Sequence, residues 1–311
     1  MALASGVPML EVTARHAVAY THYYRGEWSE AIPHTEVALA LYSLEQERAL
    51  TSMFQLSSTV NLVAARGSSL WMMGHQDQAL QELDRMIVIA RDVNHPSALS
   101  NALGVACYML TFHHDPPRML SYADEVKSFA REEGWELWYA VGVMSSGWAR
   151  LRMGDRVDGL RELFEGVALF RATRSDLMGP TVGVIHGEGL REAGRQPEAI
   201  EMLTATAEKA QRGHVGVLLP EVYRLMGEMQ LEGGMLCEAE LAFRKALETA
   251  EAQKALSLAL RSALSYHTLL ERTKRPAEGL ALIRRYYERF TDSFSQPDLV
   301  RARALLSMVA H

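Results

Sequence analysis

Apolar residues along this chain return at intervals of three and four rather than two, the spacing that places them on one face of an α-helix. Leu80, Leu83, Ile87 and Ala90 form one such stripe, and Ala239, Ala242, Phe243, Ala246, Leu247 and Ala250 form another. Neither segment shows the β-branched alternation of a strand, so no sheet is predicted. The stripes are punctuated by Gly26, Gly74, Gly154, Gly194 and Gly234, each followed five residues later by a small residue: Ala31, Ala79, Gly159, Ala199 and Ala239. From Gly74 onward the step is 40 residues and runs on through His114 and Lys274, whereas Gly26 lies 48 residues before Gly74. A third column, seven residues before each mark, reads Ala19, Gly67, Cys107, Gly147, Gly187, Gly227 and His267. A glycine just past a helix adopts positive φ without steric cost, and the following residues then begin a second helix. Ser29, Asp77 and Asp155 stand where that second helix is capped, and Pro197 and Pro276 suit its first turn. Each unit therefore reads as helix, tight turn, helix, with small residues on both sides of the turn letting the two backbones approach. One such pair cannot bury both of its faces, but a stack of them can.

The reading divides one superhelical domain, 1–311, into repeats at 11–45, 52–92, 96–133, 135–174, 177–212, 217–253 and 256–292, followed by a capping helix at 297–309. His113-His114-Asp115-Pro116-Pro117 replaces the glycine turn of the third pair, with two prolines to break the helix. The eight extra residues between the first two marks fall around 43–59 and predict a longer connection with some helix. Gln296-Pro297-Asp298 opens the cap, whose apolar side carries Leu299, Ala302, Leu305, Leu306 and Val309. The brevity of the start suggests a piece of a longer chain.

The columns of small residue, glycine and alanine, with an aromatic four positions further on as in GEMQLEGGMLCEAELAFRKALE, resemble the tetratricopeptide repeat (TPR), whose usual period is about 34 residues. A period near 40 implies longer helices. More specific strings, among them HAVAYTHYYRGEWSEAIPHTEVALALYS, SLWMMGHQDQALQELDRMIVIARDVNHPSALS and YYERFTDSFSQPDLVRARALL, are similar to the C-terminal TPR region of large bacterial signalling proteins. Those proteins carry a nucleotide cyclase domain and a STAND or AAA-type ATPase domain upstream. The resemblance implies an all-α, right-handed α-solenoid of about seven TPR-like hairpins, serving as a sensor or regulatory array. The chain has no GxxxxGK[ST] phosphate loop of its own, so any catalysis would belong to upstream domains.

Composition narrows the function classes. With 48% hydrophobic and 23% charged residues over 311 positions the chain has ample material for a core. The 32 Lys+Arg against 38 Asp+Glu give a net charge of −6 with no basic cluster, which argues against a nucleic-acid partner. No apolar run approaches the roughly 18 residues of a membrane span, and the opening MALASGVPML lacks a secretory signal, so a cytoplasmic protein is expected. Cys107 and Cys237 make neither a disulfide framework nor a four-cysteine zinc site.

In a stack of this kind the first helix of each pair lines a concave groove. The positions that face it predict a partner-binding surface of Tyr20, Tyr23, Asn61, Trp71, Asn101, Tyr108, Met144, Trp148, Arg191 and Arg224. Its first half is aromatic and amide-bearing, its second half charged. Asn61 and Asn101, 40 residues apart, suit bidentate recognition of an extended backbone, and the aromatics suit apolar pockets. The competing reading makes the aromatics core and the amides helix-surface filler. His113-His114-Asp115 has no further ligands at metal spacing and reads as a turn; Gly187-Glu188-Gly189 lacks the strand that a dinucleotide loop requires. Glu188 with Arg191, and Arg224 with Glu228, are helix-face ion pairs before they are acid–base machinery. Trp135 and Trp138 in GWELWYAVG open a first helix and fix packing between repeats, with an edge that could dock a neighbouring domain. The expected function is a non-catalytic protein- or peptide-binding or sensor module without metal or cofactor. The alternative is a homo-oligomerisation or intramolecular docking scaffold acting on an upstream cyclase or ATPase.

Overall fold

The computed structural model describes residues 8–175 and 178–308, and among them every regular element is a helix. The chain opens with α1 (Pro8–Arg25), α2 (Trp28–Ala40) and a short α3 (Leu44–Phe54). Four long helices follow: α4 (Ser58–Met73), α5 (Gln76–Val93), α6 (Pro96–His113) and α7 (Pro116–Glu133). The next are α8 (Glu136–Arg152), α9 (Arg156–Ala172), α10 (Gly179–Glu192) and α11 (Gln196–Arg212). The last are α12 (Leu219–Glu232), α13 (Leu236–Ala252), α14 (Leu256–Arg272), α15 (Pro276–Tyr287) and α16 (Pro297–Ser307). They form helix–turn–helix pairs, with α3 and α16 standing outside the pairs.

The turns repeat every 20 residues. Residues 74, 94, 114, 134, 154, 174, 194, 214, 234, 254 and 274 all have positive φ, and only five of them are glycine; the others are Asn94, His114, Arg174, His214, Lys254 and Lys274. The 40-residue step of the sequence is therefore two equal half-steps, one turn inside each pair and one between pairs. His114 shows how a side chain occupies such a site. It sits at φ 54° as the C-cap of α6, Asp115 then accepts a bond from the Arg118 N–H at 3.2 Å, and Pro116 opens α7. Asp155 caps α9 in the same way through the Asp158 N–H, whereas Ser29 and Asp77 lie one residue inside their helices.

The chain folds as two compact units. The first holds Met1–Tyr23, Ser29–Ser69 and Gln78–Leu177; the second holds Tyr24–Trp28, Leu70–Asp77 and Met178–His311. In the first unit the small-residue columns reach their limit at the α8–α9 seam. A Cβ on Gly147 would lie 2.2 Å from the Leu163 nitrogen, and one on Gly166 would lie 2.2 Å from the Met144 nitrogen, so the two backbones touch without intervening side chains. The extra residues around 43–59 form α3, whose buried Glu47 accepts bonds from the Ser57 hydroxyl at 2.6 Å and the Thr59 hydroxyl at 2.5 Å at the start of α4. In the second unit Trp28 is fully buried, and the Gly216 N–H donates to the Tyr24 carbonyl at 2.7 Å. Also there, the Ser257 hydroxyl donates to the Trp71 carbonyl at 2.6 Å and the Asp77 N–H to the Ser293 hydroxyl at 2.9 Å. On α16, Leu299 and Ala302 are fully buried and Leu305 and Leu306 half-buried, while Val309 lies outside the described residues. No described helix is long and apolar enough to cross a membrane.

Candidate functional site

In the first unit Asn61 on α4 and Asn101 on α6 meet. The Asn101 Nδ2 donates to the Asn61 Oδ1 at 2.6 Å, with the residues only 5% and 8% exposed. The phase that the sequence marked as suggestive is thus a buried inter-repeat hydrogen bond. Tyr20 and Tyr23 lie on one face of α1 with ring centroids 5.9 Å apart, both half-buried, and His16 meets Tyr20 edge-on at 4.8 Å. Burial raises the Tyr23 phenol above its ordinary value despite its bond to Ser68. Burial also drives the His16 imidazole down to about 4.

Three positions expected to face a groove in this unit are instead packed inside: Tyr108, Met144 and Trp148 are all buried. The reason is that α6 and α8 are covered on both sides. Every residue from Ala140 to Ala149 is buried, so α8 has no wet face along that stretch for a periodicity to mark. The Arg152 guanidinium lies 5.1 Å over the Trp148 ring.

The second unit holds Trp71, Arg191 and Arg224, each engaged by neighbouring side chains. Trp71 is buried, with the Arg261 guanidinium 5.1 Å above its ring. Arg224 grips Glu221 in a two-point pair at 2.9 and 2.8 Å and reaches Glu228 at 2.5 Å. Ser265 donates to the same Glu228 oxygen at 2.7 Å, and Arg191 donates to the other at 2.8 Å while also pairing with Glu232. Arg261 bonds Asp298 of the capping helix at 2.8 Å. Burial opposes the charge on Glu221, but Arg224 and Arg261 overcome it and hold the carboxyl below the usual range. Burial likewise opposes Glu228, and Arg224, the Ser265 hydroxyl and Arg191 hold it down. Arg224 is buried as well, and Glu221 and Glu228 raise it above its ordinary value. Fixed ion pairs of this kind hold one another and leave little for a partner.

One cleft that remains open lies beside Asn101. Its volume of about 520 Å³ is walled by Leu56, Trp135, Leu137 and Trp138, with Gln55, Ser97, Asn101 and Thr173 supplying neutral polar groups. Trp138 packs against the preceding repeat: a Cβ on Gly104 would meet two of its ring carbons at 2.5 Å. That contact is the inter-repeat packing expected of this tryptophan, and the same ring forms a wall of the cleft. The α3–α4 connection makes the lip, where Gln55 turns the chain at φ 54° and leaves Met53 72%, Phe54 63% and Leu56 43% exposed. Trp135 occupies the N-cap position of α8 and makes no side-chain capping bond there. Only one N–H of the Asn101 amide is spent on Asn61, so the group keeps a second donor and its acceptor oxygen. The sequence named Asn101 and both tryptophans but gave no sign that Leu56 joins them, because α3 breaks the repeat that located the others. Among the described residues no cluster of three or more His, Cys, Asp or Glu is placed to hold a metal ion.

No protein-family model matches this sequence, and no curated protein matches it either. Solved structures do match its fold. NprR in complex with its cognate peptide NprX is 14% identical, with a TM-score of 0.55 over 96% of this chain and 82% of that one. A Rap protein complexed with Competence and Sporulation Factor is 11% identical, with a TM-score of 0.55 over 96% and 98%. The apo form of RapI is 11% identical, with a TM-score of 0.54 over 96% and 99%. At these identities the likeness is one of fold: this chain is an all-α, TPR-like helical-repeat protein.

Proposed function

We propose that this chain is a non-catalytic binding module that takes a peptide, or an extended segment of a partner protein, into the cleft beside Asn101. The observation that carries the reading is a buried, hydrogen-bonded amide pair at the edge of an aromatic-walled cleft with an exposed apolar lip. An extended backbone presents a donor and an acceptor at each residue, and the free donor and acceptor of the Asn101 amide answer both. Asn61 fixes that amide beforehand, which lowers the ordering cost of binding. The walls of Trp135 and Trp138 supply the anchoring area that dominates such interfaces. NprR bound to its peptide NprX offers a precedent for this use of the fold. Of the other positions read from the sequence, Tyr20, Tyr23 and Arg191 keep partial exposure and are assigned here to contacts outside the cleft.

The resemblance to the TPR regions of bacterial cyclase proteins supports a regulatory role in the cytoplasm, with the partner either a separate protein or a neighbouring domain. The test is capture from a lysate of the source cells by the wild-type chain and by Leu56→Asp, read by mass spectrometry. Leu56 is exposed, so the substitution spares the core. A protein retained by the wild type and lost with the variant is the expected result, and identical capture by both removes the cleft. A second reading, self-association, draws on the exposed Val157 and Leu241, at 81% and 68%. Light scattering that gives a concentration-independent monomer excludes it.

A further inference from the structure

We infer that the cleft beside Asn101 selects a peptide segment carrying an apolar anchor and a basic residue, and discriminates against acidic ones, with Glu136 as the selecting group. The inference rests on the peptide-binding reading above and adds a chemical class to it. Among the described residues Glu136 is the one ionisable side chain lining the cleft, and it is exposed on the first turn of α8. The α8 N-terminus contributes about +0.5 of a charge there, half of what the carboxylate supplies with the opposite sign, so the local field stays negative. Glu133, exposed one residue before the lining Gly134, adds to it. Arg131, the cation nearest in sequence, is turned onto the Tyr139 hydroxyl at 2.5 Å. Arg174 is exposed next to Thr173, at the C-terminal end of α9, and is a cation bordering the cleft on that side. The basic residue of the occupant therefore belongs against the α7–α8 turn, with its apolar anchor between Trp135 and Trp138. A like charge brought to that turn meets the exposed Glu136 through partial screening by water, which corresponds to roughly threefold discrimination.

The experiment selects a displayed library of random seven-residue peptides on the full chain, in parallel on wild type, Glu136→Lys and Leu56→Asp. The wild-type pool is expected to favour Lys and Arg over Asp and Glu by about threefold beside an aliphatic or aromatic position. Glu136→Lys should reverse that preference, and Leu56→Asp should fail to retain the wild-type pool. Pools of the same charge on wild type and Glu136→Lys would overturn the selectivity while leaving peptide binding intact. A wild-type pool still held by Leu56→Asp would move the peptide out of this cleft. No enrichment on the wild type would overturn the peptide reading and this inference with it.

Discussion

The two units bury polar groups on the first helices of their pairs by opposite means. Where α4 meets α6 the buried polar contact is neutral, the Asn61–Asn101 amide bond; where α12 meets α14 it is ionic, with Arg224, Arg261, Glu221 and Glu228 locked together. A neutral amide can exchange one partner for another at small net cost, because its gain over water is only about 1 kcal/mol. A buried charge cannot, since separating it from its partner leaves several kcal/mol of desolvation unanswered. The difference teaches where a ligand can be received: the ionic region holds its shape, and the neutral region keeps spare hydrogen-bonding capacity beside a cleft.

The sharpest way to break this comparison is Arg224→Met, which takes from Glu221 and Glu228 the arginine they share and should cost about 3–5 kcal/mol in urea unfolding. A loss below about 1 kcal/mol would mean that water already solvates these carboxylates. Next is Gly147→Ala at the α8–α9 seam, where the added carbon meets backbone at 2.2 Å; we expect about 2–3 kcal/mol. Gly183→Ala meets only the movable Thr206 side chain, at 2.8 Å, and should cost less. Asn101→Ala leaves the buried Asn61 carbonyl without its donor, for about 1–2 kcal/mol, and replacing both residues by Leu should cost less than the single change.

Much of the fold was legible because glycine betrays a left-handed turn, as at Gly74, Gly154, Gly194 and Gly234. The alternate turns at Asn94, Arg174, His214 and Lys254 adopt the same conformation with residues that look like ordinary surface, so the 20-residue half-step stayed hidden. The site was legible only in part. Asn61 and Asn101 stood out by phase, but whether two amides 40 residues apart face a ligand or each other is a matter of distance that no spacing encodes. Met144 and Trp148 looked like groove residues because a helix covered on both sides loses the polar face that would have marked its orientation. The Arg224–Glu228 pair was legible from its i,i+4 spacing, whereas the reach of Arg191 to Glu228 and Glu232 on α12 is a contact between helices that no spacing along α10 encodes.

The smallest effect separates the units by acidity. His16, in the first unit, has its pKa driven below 6.5 to about 4, so the folded state gains over the unfolded one above pH 6.5 and loses that gain as the pH falls toward 4. Between pH 7 and 5.5 the loss is about 1 kcal/mol, and His16→Gln should abolish it. Glu221 and Glu228 are depressed carboxyls, so the second unit loses their contribution only as the pH falls below the ordinary carboxylate range. Burial also lowers the His267 imidazole on α14, so in the His267→Gln variant amide hydrogen exchange at pH 5.5 should show weakened protection in α1 and unchanged protection in α12 and α14. Equal weakening in both would erase the distinction.

The glycine seam between α8 and α9 has a mechanical consequence. Two backbones in direct contact have no rotamers to yield, so this pair is a stiff splint. Where a side chain lies between helices, as Leu203 does opposite Gly187 or Phe243 opposite Gly227, the joint can shear by small torsional adjustments. Under a load such as a ligand drawing helices together, compliance falls to those cushioned joints, and α8 carries Trp138 as a rigid lever.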